Sequence, residues 1–407
     1  MSSTAVFRPE TEIARDKIAR MGPALVSTSL GTISLRVTND VIGLKNLWEA
    51  MQAVAPCTAA QTYDWARAWS QHVLEPEGRA AVIVLGYGPD GTPLFLWPFE
   101  RGTAYGLPVL KWLGQDHANY NMGLFVPDAA RALNGTDMSR LVLEAGRQAG
   151  AAAAFLSAQP FAWDGVPNPF AALSHQSAPN SGYAIKLGDF TTLYESRFSR
   201  RSRGTLDRKE RKLLDIGRLD YGWAETREAK IELLETFFVQ KARQFAAMGV
   251  KNIFDGPARA FYRDVALLQN DNPSRLRLGY VALDGKVLAT FSGTVCHDRV
   301  GVALSSLAEG DAQRQSPGGL LLRHQIKEAS EAGLAYFDLG VGQARHKNEW
   351  CNTVYALFDS FIAFKPQGLL VTLPLGVTAQ LKRAIKSNRH LWSFAQAMRK
   401  RLLARKD

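Results

Sequence analysis

The chain has 407 residues, 49 Lys and Arg against 38 Asp and Glu, and a formal net charge of +11. That length predicts two or three domains, each able to bury a core, and the charge favours an anionic partner: a phosphorylated cofactor, a nucleic acid or an acidic membrane surface. Three widely spaced cysteines, Cys57, Cys296 and Cys351, exclude a disulfide framework and lack zinc-ligand spacing.

Met1–Ser29 reads as a flexible N-terminus. It mixes Glu10, Glu12, Arg15, Asp16 and Lys17 without the apolar centre of a signal peptide. Gly31–Val37 is a predicted strand and Val41–Val54 a helix, with Leu44, Leu47, Trp48 and Met51 at helical spacing. TYDWARAWSQHV, Thr62–Val73, predicts a second helix with Trp65 and Trp69 on one face. Ala80–Tyr87 and Pro93–Glu100 form a predicted hairpin around Asp90-Gly91. Val109–Leu113 and Met122–Val126 are further strands, separated by GQDHANYN. Ala129–Gln148 is a helix ending at Gly150, and Ala153–Leu156 a buried strand. Gln159–Gly182, rich in Pro, Ala, Asn and Ser, reads as a linker or loop.

Phe198–Leu214, Ile231–Met248 and Ala258–Leu268 predict helices. Leu276–Leu283 and Lys286–Val295 flank a second turn, Asp284-Gly285. Val300–Leu307 is a third strand, Gly318–Ala332 a helix stopping at Gly333, and Ala335–Leu339 a buried strand. The order strand, DG turn, strand, strand, helix, strand therefore occurs twice, which predicts two domains of one fold. Ala379–Arg405 is basic and amphipathic. No apolar run is long enough to span a bilayer.

The layout of a helix pair, an antiparallel meander, a helix and a parallel strand resembles the GNAT-type acyltransferase fold. In order, TYDWARAWSQHV, WLGQDHANYNMGLF, FSRRSRGTLDRKERKL, RQSPGGLLLRHQIKEASEAGLAYFDLG and RHKNEW carry the resemblance. Together they make the chain, from about Asp40 to about Phe364, similar to the tandem-GNAT family called CelD-like or BioF2-like acetyltransferases, distant relatives of the FemABX aminoacyl transferases. The resemblance implies an α/β (α+β) chain of two tandem GNAT-like domains with mixed, mainly antiparallel sheets. The expected ranges are 1–29 flexible, 30–185 and 186–375 for the two domains, and 376–407 for a basic amphipathic helix.

The site expectations rest on three stretches. In RQSPGG, a helix begins with glycines. A helix N-terminus has unpaired N–H groups and a positive dipole end, and Gly318 and Gly319 let a pyrophosphate approach the backbone. Arg314, Gln315, Ser316, Gly318 and Gly319 are the expected donor-binding residues, for acetyl-CoA or another acyl-CoA. A glycine-containing start that only packs closely is the other reading. The glycine pattern departs from the family's Gln/Arg-x-x-Gly-x-Gly/Ala. In GQDHANYN, Asp116 or His117 is the candidate base, since an ammonium cannot attack an acyl group, with Asn119 and Tyr120 near the acceptor. In FDLGVGQARHKNEW, Lys347 matches the position where FemABX relatives place a cation near the reacting carbonyl. Asp338 and Arg345 are the candidate substrate contacts there.

The basic run Arg200–Lys212 reads mainly as a solvated helix face, with Asp207 and Glu210 spaced to meet Arg211 and Arg203. Phosphate or tRNA contact is the other reading. Cys296-His297-Asp298 falls in a turn and alternates in direction, so no metal is expected. The reading that follows is a cytoplasmic N-acyltransferase acting on a small-molecule or glycan amine, in polysaccharide or envelope assembly. Its C-terminal helix would meet a protein or the inner membrane. The alternatives are an aminoacyl-tRNA-dependent transferase and a non-catalytic accessory protein of a polysaccharide synthesis complex.

Overall fold

The computed structural model describes residues 22–387. They divide into two compact units, residues 22–181 with 356–387 and residues 182–355. The first unit opens with β1 (Ala24–Thr28), paired antiparallel with β2 (Gly31–Thr38). The expected flexible terminus thus ends in a strand: Val26 alternates inward and Gly31, at φ +90°, supplies the tight turn. A short turn leads into α1 (Lys45–Val54). Next comes α2 (Tyr63–Trp69), continued by a π-helical turn over Ser70–Leu74. Trp65 and Trp69 are both buried, as their spacing predicts.

The meander is β3 (Ala80–Tyr87), β4 (Pro93–Ala104) and β5 (Leu107–Trp112), with the two-residue strand β6 (Leu124–Phe125) also on β4. The single predicted helix over 129–148 is two, α3 (Pro127–Ala132) and α4 (Gly135–Gln148). Asn134 breaks it. Its side chain accepts from the Thr136 and Asp137 N–H groups while Asp137 accepts from the Asn134 N–H, a reciprocal capping box. β7 (Ala153–Pro160) then lies parallel to β5, joined at Val109↔Ala153 and Leu110↔Ala154.

The second unit starts at β8 (Gly182–Lys186), followed by α5 (Phe190–Arg197), α6 (Arg200–Leu214) and β9 (Leu219–Trp223). Two helices, α7 (Arg227–Met248) and α8 (Pro257–Ala266), precede a meander of β10 (Gly279–Leu283), β11 (Lys286–Cys296) and β12 (Arg299–Leu307). α9 (Pro317–Glu331) crosses to β13 (Tyr336–Val341), which runs parallel to β12. α10 (Arg345–Trp350) and β14 (Thr353–Tyr355) complete a seven-stranded sheet in the order β9-β10-β11-β12-β13-β8-β14. Leu288, Phe291, Leu320, Ile326 and Phe337 centre its core.

The chain then re-enters the first unit. β15 (Leu357–Ala363) inserts antiparallel between β7 and a short strand at Gln176–Ser177, within the stretch that composition marks as linker or loop. The first sheet is nine-stranded, in the order β1-β2-β3-β4-β5-β7-β15 and then the Gln176–Ser177 strand, with β6 beside β4. Phe95, Trp97, Phe99, Trp112, Phe125 and Phe170 stack at its centre. α11 (Leu369–Ser387) packs Val371 and Leu375 on Val109, Ala153 and Phe155. The rest of the predicted basic helix, 388–405, lies outside the described residues. Each sheet has one parallel pair, made by a helix crossover after an antiparallel meander. No helix among the described residues is long and apolar enough to cross a membrane.

Candidate functional site

In the second unit the parallel pair separates early. β12 meets β13 only over Arg299–Gly301 and Tyr336–Asp338. β12 continues to Leu307, and the loop 308–316 then carries the chain to the start of α9. Ser316 is the N-cap, in the left-handed region at φ 55°, ψ 53°. Its carbonyl accepts from the Gly319 N–H (2.9 Å) and the Leu320 N–H (3.1 Å). The left-handed turn takes its hydroxyl away from the usual capping position. Instead Ser316 Oγ accepts from Lys209 Nζ of α6 at 2.6 Å.

The two glycines have different reasons. A Cβ on Gly318 would lie 2.8 Å from Leu307 Cδ2, so Gly318 allows α9 to start against the end of β12. A Cβ on Gly319 would meet only Ser316 Cβ, at 3.8 Å. Nothing in the fold demands glycine at 319, and the space over it is open. Pro317 fits the first turn because it has no N–H to leave unpaired. Gln315 lines a cavity of about 340 Å³ with Lys212, Asp215, Ile216 and Asp311. Arg314 is exposed and 3.8 Å from Asp311.

Lys209 and Lys212 bring part of the basic run to this loop, beyond the solvated face that its spacing predicts. The acids in the run also differ from expectation. Asp207 and Glu210 bind Arg323 of α9 at 2.7 and 2.5 Å, while Arg203 pairs with Glu195 at 3.0 Å. The separated edge of β12 is partly filled by the protein itself. The carbonyls of Ser305 and Leu307 accept from Lys241 Nζ (2.9 Å) and Gln244 Nε2 (3.3 Å) of α7. Burial lowers the Lys241 pKa.

Of Asp338, Arg345 and Lys347, the first and last lie near enough to act on each other, and Arg345 stands apart. Asp338 is 1% exposed and accepts from Arg299 Nη1 (3.3 Å) and the Gly340 N–H (2.8 Å). The Arg299 guanidinium also covers the Tyr336 ring at 4.2 Å and donates to the Tyr355 hydroxyl at 3.0 Å. Lys347 is buried and donates to the Gly340 and Val341 carbonyls at 3.1 and 3.0 Å. Burial lowers its pKa to about 8, against the pull of Asp338. Beside it the Cys351 thiol is pushed up to about 12, by burial first and then by Asp338. Arg345 points outward and holds Glu349 at 2.7 Å.

In the first unit, Gly114 (φ 92°) and Gln115 (φ 42°) start a single 3₁₀ turn over Gln115–His117. Asp116 is exposed at its tip. The His117 ring lies 5.0 Å from Trp69, and burial lowers its pKa to about 4 although Asp116 opposes the shift. Asn119 is half-buried. Tyr120 is buried against Trp163 at 4.8 Å, and its carbonyl accepts from Gln61 Nε2 at 2.9 Å.

What holds this loop is a residue that sequence reading passed over. Glu100, 1% exposed in β4, accepts from Trp69 Nε1 (2.9 Å), the Gly114 N–H (3.3 Å), Gln115 Nε2 and Arg79. Burial raises its pKa, and Arg79, the Trp69 bond and Lys111 oppose that. Lys111 is lowered to about 8 by burial, against Glu100 and Asp116, and donates to Gln115 Oε1 at 3.2 Å. The available signal was an acid inside the apolar run FLWPFE.

A helix N-terminus thus lies next to a separating parallel strand pair. Residues 200–348 match the acetyltransferase (GNAT) domain. The GNAT match thus spans α6 to α10, with the Ser316–Gly319 turn inside it. No match is found among curated proteins. The solved structure of FemX superposes with a TM-score of 0.56 at 14% identity, covering 81% of this chain and 98% of that one. A tandem GNAT protein from the clavulanic acid biosynthesis pathway gives 0.44 at 11% identity, over 82% and 99%. The C-terminal domain (DUF2156) of a putative lysylphosphatidylglycerol synthetase from Agrobacterium fabrum gives 0.48 at 11%, over 82% and 96%. The fold is therefore α/β with two tandem GNAT-like sheets, and strands β9 to β13 of the second lie within the matched range.

Proposed function

We propose that the protein is an N-acyltransferase whose donor, acetyl-CoA or another acyl-CoA, is held at the start of α9. The carrying observation is the open space over Gly319, beside a helix N-terminus and within reach of the Lys209 ammonium. An anionic diphosphate there meets a positive dipole end, backbone without a Cβ and a cation. Gln315, Ser316 and Gly318 shape the turn, and exposed Arg314 lies on its approach. The acceptor is an amine on a small molecule or glycan. Attack is direct: the amine nitrogen bonds to the thioester carbonyl carbon, the carbon–sulfur bond breaks, and CoA leaves as the thiol once the amine's proton is taken up. Asp116 or His117 is the candidate base, and Asn119 and Tyr120 are candidate acceptor contacts. For the oxyanion we keep Lys347 as the candidate cation, with Asp338 and Arg345 as further substrate candidates. The resemblance to CelD-like and BioF2-like acetyltransferases supports a place in polysaccharide or envelope assembly. The basic C-terminal helix is the candidate contact with a protein or membrane.

A second reading, an aminoacyl-tRNA donor, is favoured by the FemX likeness and by Lys241 and Gln244 occupying part of the β12 edge. Calorimetric titration with acetyl-CoA, CoA and bulk tRNA separates the readings. Micromolar binding of CoA and acetyl-CoA is expected, and Gly319→Asp abolishes it. Aspartate in the first turn of a helix is favourable for the helix itself, so the loss reports the ligand and not the fold. Unchanged CoA binding in Gly319→Asp overturns the loop assignment. Binding of tRNA without CoA selects the second reading. Binding of neither selects an accessory protein that has kept the fold without the chemistry.

A further inference from the structure

One face of α6 builds the cavity beside the α9 turn. Lys209, Lys212, Leu213 and Ile216 stand three, four and seven residues apart from the first, so they share a face up to and just past the helix end. Lys209 reaches Ser316 at the turn. Farther along α6, by a rise of roughly 5–10 Å, Lys212, Leu213 and Ile216 line the cavity of about 340 Å³ together with Ala312 and Gln315 of the loop.

The mixed lining narrows the choice of occupant. Leu213 is fully buried and Ile216 is 66% exposed, which makes an aliphatic surface that is open to a flat ring. Lys212 is exposed, and among the described residues no carboxylate pairs with its ammonium. Asp215 and Asp311 add two carboxylates to the lining. They oppose a bare polyanion such as inorganic phosphate. They suit the exocyclic amine of adenine, which is an N–H donor. The Gln315 amide can donate and accept, as the adenine edge requires. A cation, an aliphatic platform and acceptors for an amine together match a phosphorylated adenosine.

We propose that this cavity holds the adenosine end of the acyl-CoA donor, with the base on Leu213 and Ile216 and the ribose phosphate at Lys212. The inference rests on the donor reading of the α9 turn and gives the donor a direction. The diphosphate lies at Lys209 and Gly319, and the adenosine runs along α6 towards its C-terminal end. The turn alone would accept many diphosphates, because it offers only backbone, dipole and a cation. The cavity adds selection for the adenine nucleotide through ring burial and a few placed polar groups.

The test is calorimetric titration of the full-length protein with CoA and with 3′-dephospho-CoA, which lacks only the ribose phosphate. The wild type is expected to bind CoA roughly tenfold more tightly than dephospho-CoA. Ile216→Glu puts a charge on the ring platform and is expected to weaken both ligands roughly tenfold or more. Lys212→Gln is expected to weaken CoA alone and bring the two ligands to equal affinity. A general defect would weaken both alike, so the ratio reports the phosphate contact. Both positions are exposed, and an unchanged urea midpoint shows that the fold is kept. CoA binding that Gly319→Asp abolishes, but that Ile216→Glu and Lys212→Gln leave at the wild-type level, overturns the cavity assignment and spares the α9 turn. A preference for CoA that survives Lys212→Gln overturns the phosphate contact. No CoA binding by the wild type overturns the cavity and the turn together.

Discussion

His117 shows how one side chain's setting limits its chemistry. Its ring sits near Trp69 at the root of an exposed turn, and burial holds its pKa at about 4. At neutral pH it is uncharged, able to accept a proton but weakly basic. The shift also ties stability to pH. The unfolded histidine has a pKa of about 6.5 and the folded one about 4. Between these values the unfolded state binds the extra proton, so this contribution is fully present above about 6.5 and is lost as pH falls towards 4. The expected loss is on the order of 3 kcal/mol by the linkage relation. His117→Phe should flatten the acid side of the unfolding profile measured in urea between pH 4 and 7. A profile that keeps its slope would remove His117 as the cause. The polar crowding in GQDHANYN marks this turn in the sequence, but not what secures it. Glu100 lies 14 residues before Gly114, and the sheet pairing Glu100↔Lys111 brings it beside the turn.

At the scale of elements, α9 is fixed from outside by ions. Arg323 of α9 is largely buried and bridges Asp207 and Glu210 of α6. The same α6 presents Lys209 to Ser316. One helix therefore carries acids that clamp α9 and a lysine that reaches its N-terminus. Arg323→Ala should leave two carboxylates facing each other and cost roughly 2–3 kcal/mol, since breaking a partly buried pair strands its partners. The measurement is urea unfolding alongside acetyl-CoA titration, and weakened binding with the fold intact is expected. A variant as stable as the wild type would show that the clamp contributes nothing. Sequence periodicity located α6, α7 and α8, the meander β10–β12, α9 and β13 in this unit, because half-buried strands alternate and helices repeat, but it left β8, α5, β9, α10 and β14 unread. It placed the salt bridges wrongly because helical spacing admits partners within α6, while the actual partner lies over a hundred residues away. It also ran α3 and α4 together, although Asn134 and Asp137 spell the cap in LNGTD.

At the scale of the whole chain, the second unit is an insertion in the first. The first sheet is unfinished until β15 enters, more than 170 residues after the Gln176–Ser177 strand that it pairs with. In sequence, no expected element covers FDSFIAF. Nothing in its alternation says that it joins β7 and not its near neighbour β14. Contacts settle that choice: Phe361 stacks on Phe155 at 4.8 Å, and Phe358 fills the first core. Asp359, whose pKa burial raises to about 6, accepts from the Ala158 N–H at 2.9 Å. A fragment of residues 22–181 would lack an inner strand of its sheet and the helix α11 over Val109 and Ala153. It is expected to be unfolded or aggregated by circular dichroism and gel filtration, because an open β7 edge is both unsatisfied and adhesive. Co-expression with residues 356–387 should restore a soluble, cooperatively unfolding complex. A fragment 22–181 that unfolds cooperatively without them would show that β15 is an ornament of the first sheet and not part of its core.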